Sequence, residues 1–96
     1  MWPRLQAFAM RWEEEGRKLR VGKEEFLEFL RHVVDEIECT KLSEKARKMI
    51  EASLVEELSL ARKQAEECTE APWKAFWSLK AKMLEEALAL LVGGRE

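Results

Sequence analysis

Two charged residues stand where the surrounding pattern calls for apolar ones. Glu57 falls near the centre of an apolar face that repeats at helical spacing through Ala46, Met49, Ile50, Leu54, Leu58, Leu60, Ala61, Ala65 and Cys68. Lys80 is framed at the same spacing by Trp73, Phe76, Trp77, Met83, Leu84 and Ala87. If the two segments form a hairpin turning near Glu70, the two residues lie within about one helical turn of each other and their side chains can meet. The expected role of such a pair is structural. A buried ion pair adds little net stability, because desolvation opposes the attraction, but it can fix register. The heads can also snorkel to water, and a ligand or partner site is the alternative. Gln64, one heptad after Glu57 on the same face, would complete a polar layer with Glu57 and Lys80, acting as a register-setting network or a subunit interface.

Other residue types that could carry chemistry are sparse. His32 is the single histidine, with Glu28, Asp35 and Glu36 as helical neighbours. A carboxylate-bridged metal site in a bundle uses Glu-x-x-His from two helices. Here Glu28 is one residue too far from His32, which faces the polar side, so a solvated histidine is expected. Cys39 and Cys68 form no zinc motif, which takes about four clustered ligands. No metal and no cofactor is expected. No Ser-His-Asp constellation or phosphate-cradling glycine loop can be assembled, and His32 is two turns from Cys39, too far for a Cys-His pair. An enzyme built on His32 or on Glu57 and Lys80 is the weakest reading, because catalysis assembles several convergent polar groups.

These residues sit on helical elements throughout. The chain has 96 residues, the size of one helical domain over 1–96. A chain this short buries only about two thirds of its unfolded surface, so added burial through self-association is expected. Glu, Lys, Arg, Leu and Ala dominate, there is no Asn or Tyr, and Asp35 is the only Asp. That mix favours helix and matches the Lys/Glu-rich, amide-poor composition of thermophile proteins. The net charge of −2 supplies no global attraction to nucleic acid or acidic lipid. No apolar run approaches the roughly 20 residues of a membrane span, and Met1-Trp2-Pro3-Arg4 lacks a signal-peptide core. No membrane association and a cytoplasmic location are expected.

Four helices are predicted. The first begins near Pro3 and carries Leu5, Phe8, Ala9 and Trp12 on a narrow stripe; Gly16 falls on that stripe, for close approach or an early end. The second runs from about Lys23 to Cys39, with Phe26, Leu27, Leu30, Val33, Val34 and Ile37 on one face and Phe29 at its border. Ser43 caps the third, which extends to about Cys68. Thr69 caps the fourth, with Pro72 in its first turn and Gly93-Gly94 as its stop; a proline kink in one continuous helix, giving three helices, is the alternative. The heptads do not persist enough to require a coiled coil.

Short loops make neighbours antiparallel, so the fold class is an all-α, up-down-up-down antiparallel bundle. Cys39 and Cys68 then lie at opposite ends, roughly 35–40 Å apart, against the ~7 Å that a disulfide allows. The third helix has a basic start (Lys41, Lys45, Arg47, Lys48) and an acidic end (Glu66, Glu67, Glu70), against its own dipole. These charges are expected to meet Asp35, Glu36 and Glu38 at one end and Arg17, Lys18 and Arg20 at the other, or to pair in an antiparallel dimer of that helix.

The fourth helix carries an apolar arc of roughly 200°, too wide for one neighbour. The four tryptophans, Trp2, Trp12, Trp73 and Trp77, exceed what so small a core fully hides, and partly exposed tryptophan is typical of interfaces. The leading expectation is therefore a non-enzymatic interaction or assembly module, self-associating or docking on a larger protein. Its interface is expected at Trp73, Phe76, Trp77, Leu84, Leu88 and Leu91. The alternative is a small nucleic-acid-binding accessory subunit using Arg17, Lys18, Arg20, Lys45 and Lys48, although these do not form one stripe.

Overall fold

Local signals set each helix of the computed structural model, which describes residues 3–40 and 43–93. The first helix, α1 (Pro3–Arg17), opens on a proline whose missing N–H would have had no partner in the first turn. The second, α2 (Lys23–Cys39), is entered through Gly22 at φ 68°, the left-handed region that glycine occupies without a Cβ penalty. Glu24 and Glu25 lie in its first turn, at the positive end of the helix dipole. It ends at Thr40, a buried residue whose hydroxyl donates to the Ile37 carbonyl at 2.6 Å.

The third helix, α3 (Glu44–Glu67), is capped by Ser43, whose Oγ accepts from the Ala46 N–H at 3.0 Å. Cys68 then leaves the helical region at ψ 129°, so α4 (Ala71–Gly93) is a separate helix and Pro72 sits in a turn-following first turn, with no kinked continuation. The carbonyl that accepts the first bond of α4 belongs to Glu70, from the Lys74 N–H at 2.8 Å, one residue after the expected cap at Thr69. Lys41, Leu42, Trp2 and Gly94 lie outside the described residues.

The fold is an all-α antiparallel four-helix bundle. Gly16 of α1 meets Phe26 of α2, Glu57 of α3 meets Lys80 of α4, and Glu86 of α4 meets Arg11 of α1, which is the up-down-up-down order. The helices form a skewed square. Both α2 and α4 pack against all three other helices, including each other, whereas α1 and α3 do not pack together. The short diagonal is therefore α2 against α4. Its core holds Phe26, Leu30, Val33, Val34 and Ile37 from α2 and Phe76, Ala81, Met83, Leu84, Ala87 and Leu91 from α4. Burying each large side chain contributes about 1.5–3 kcal/mol.

This diagonal corrects the expectation that α4 has more apolar surface than its companions can cover. Every Trp, Phe, Leu and Met of α4 is buried or half-buried, because neighbours stand on three of its sides. Leu84, Phe76 and Leu91 are core residues and cannot anchor a partner. Trp73, Trp77 and Leu88 are half-buried and pack against the core.

Gly16 lets α1 approach α2. A Cβ there would lie 2.5 Å from Cδ1 and 2.7 Å from Cε1 of Phe26, a fully buried ring with nowhere to move. Gly16→Ala is therefore expected to lower unfolding free energy: overpacking costs about 1–3 kcal/mol, more than the gain in helix propensity of up to ~1 kcal/mol. Urea denaturation checks this, and an unchanged or raised midpoint contradicts it.

Candidate functional site

Lys80 occupies the middle of the buried face of α4, where it meets α2 and α3. Its side chain is only 14 % exposed. The ammonium sits 4.1 Å from the ring centroid of Phe29 on α2 and 5.1 Å from that of Trp77 one turn back on α4. Glu57 of α3 approaches it to 3.9 Å, at the outer limit of an ion pair. Burial lowers the Lys80 pKa below the ordinary 10.5, and the charges of Glu57 and Glu25 oppose that shift. Two aromatic faces and a carboxylate thus replace part of the water that the ammonium loses.

The sequence placed Lys80 correctly and Glu57 too centrally. Glu57 is 40 % exposed and lies at the edge of the α3 face, so its carboxylate keeps solvent while reaching inward. Gln64 does not join them. It is half-buried and one heptad, about 10 Å, nearer the α3–α4 turn, level with Trp73 and not with Lys80. The expected three-residue polar layer is therefore a pair. The three grooves lined by Phe8 and Leu90, by Leu30 and Val34, and by Leu19 and Pro72 do not include Lys80 in their walls.

A second polar cluster joins α1 to α4. Trp12 is buried and its indole N–H donates to Glu86 Oε2 at 2.7 Å, while Arg11 donates to both Glu86 oxygens at 3.0 Å. The Arg11 guanidinium also stands 4.9 Å from the Trp12 ring centroid. This cluster borders an open groove of about 640 Å³ between α1 and α4, lined in part by Phe8 and Leu90. The Arg11 and Glu86 side chains are paired with each other and both form part of the groove wall. Sequence reasoning missed this cluster because its members are 74 and 75 positions apart; the one signal was that Trp12 on a core stripe must find a partner for its N–H. It also missed the seat of the α1–α2 turn, where a Cβ on Gly22 would lie 2.6 Å from Phe76 and 3.2 Å from Trp73. Phe76 makes edge-on contacts with both Trp73 and Trp77, at 5.5 and 5.0 Å between centroids.

The remaining sequence candidates are scattered. His32 is exposed, with Glu36 Oε1 at 3.2 Å from its Nε2. Among the described residues no three metal-ligating side chains gather. Cys39 is exposed and Cys68 half-buried, and both are free thiols. Arg17 pairs with Glu13 and Lys18 with Glu15, along their own helix rather than with the acidic end of α3, because partners at i±3 and i±4 are nearer than any across the turn. The Glu15 hydrogen bond and charge raise the Lys18 pKa. Arg20 is exposed in the same turn, whereas Lys45 and Lys48 are exposed in the first turns of α3, at the other end of α2 from that turn. The five basic residues thus form two separate groups. No helix among the described residues is long and apolar enough to cross a membrane.

Among the described residues α3 carries three of the five exposed large apolar side chains, on two flanks: Met49 and Leu60 on one, and Val55 roughly 120–140° round the helix on the other. Met49, Val55 and Leu60 are 65, 50 and 47 % exposed. Lys45 and Lys48 before them and Glu66 and Glu67 after them are exposed and form no ion pair among the described residues. Comparison with known proteins adds no name: no family model, curated protein or solved structure matches this chain.

The Lys80 cluster yields a pH prediction. A lysine whose folded-state pKa is lowered penalises the folded state while it is charged. Stability from this group therefore rises with pH across the window between its lowered folded-state pKa and 10.5. Lys80→Met keeps the apolar stem and removes the charge, and leaves Glu57 with access to water. The variant is expected to be at least as stable as the parent at pH 7, with a margin that narrows as pH rises toward 10.5. Melting curves at several pH values check this; a loss of more than about 2 kcal/mol at pH 7 would show that the ammonium itself holds the helices together.

Proposed function

We propose that this chain is a non-enzymatic helical assembly module of the cytoplasm, and that it works by associating with copies of itself. The observation that carries this reading is the outer face of α3. Met49, Val55 and Leu60 are exposed there on two flanks of the helix, and Lys45, Lys48, Glu66 and Glu67 form no ion pair among the described residues. Several polar groups join one helix of the bundle to another. Glu86 is held by Arg11 and Trp12, Glu57 approaches Lys80, and Glu85 is held by Arg62 across α3 and α4 at 3.2 Å. Such groups fix helices against each other, whereas catalysis needs them convergent on an open space.

The half-buried edges of Trp73, Trp77 and Leu88 give a lesser apolar margin on α4. They support the same reading less strongly than the open face of α3. Association would also relieve the high surface-to-volume ratio of a bundle of this size.

Solution mass is the test. At about 100 μM, a dimer with a Kd near 10 μM is mostly assembled. Light scattering or sedimentation is expected to give at least twice the 11.3 kDa of one chain. A monomeric mass at that concentration contradicts self-assembly.

A further inference from the structure

We draw no further inference here: the strongest candidate, the open groove of about 640 Å³ between α1 and α4, has in its wall Arg11 and Glu86, which are already paired with each other, and nothing in the structure shows what covers Phe8 and Leu90 along it.

Discussion

The breadth of the apolar face of α4 constrains everything else in this bundle. An arc reaching from Met83 and Phe76 through Lys80 and Leu84 to Ala81 can leave water only if helices stand on three sides of it. The chain meets that demand by closing the α2–α4 diagonal and opening the other. Phe26, Leu30, Val33 and Ile37 then share one core with Phe76, Met83, Leu84 and Ala87, and α1 and α3 become flanking helices that do not pack together. Two glycines permit this closure. Gly16 admits the Phe26 ring between α1 and α2, and Gly22 turns the chain under Phe76 and Trp73.

Lys80 lies in that seam, and its setting shows why a charge can be kept there. The stem is covered by apolar neighbours, the ammonium rests against Phe29 and Trp77, and Glu57 reaches it from the wetter edge of α3. The arrangement ties three helices at one level. A purely apolar side chain would fill the space as well, but it would not distinguish this level of the α3–α4 hairpin from one a turn away. The Arg11–Glu86–Trp12 cluster plays the corresponding part for α1 and α4.

Helical periodicity, capping residues and the two prolines made the four helices and their order legible before any coordinates. Ser43 caps where its type and position indicate, and the segment after Cys68 turns as Pro72 suggests. Lys80 was legible because a lysine among Trp73, Phe76, Met83 and Leu84 has no other place to be. What periodicity could not supply was how many neighbours each face would have. The apolar arc of α4 is equally consistent with three helices of one chain and with two helices plus a partner, so Leu84, Phe76 and Leu91 were assigned outward when they face in. Pairings between distant positions, such as Trp12 with Glu86, leave no local pattern. For the same reason the charges of Arg17 and Lys18 were matched to the wrong helix: partners at i±3 and i±4 competed with distant ones, and the nearer ones won.

With α4 enclosed, the outer side of α3 takes no part in the central seam. Native-state hydrogen exchange tests that central seam most directly. The account predicts that the slowest amides lie in the middle of both α2 and α4, around Leu30–Val34 and Lys80–Ala87, and that the two groups exchange with one common free energy equal to that of global unfolding. If the α3–α4 hairpin instead opens as a unit while α1 and α2 stay protected, the α2–α4 seam is not what holds the bundle together.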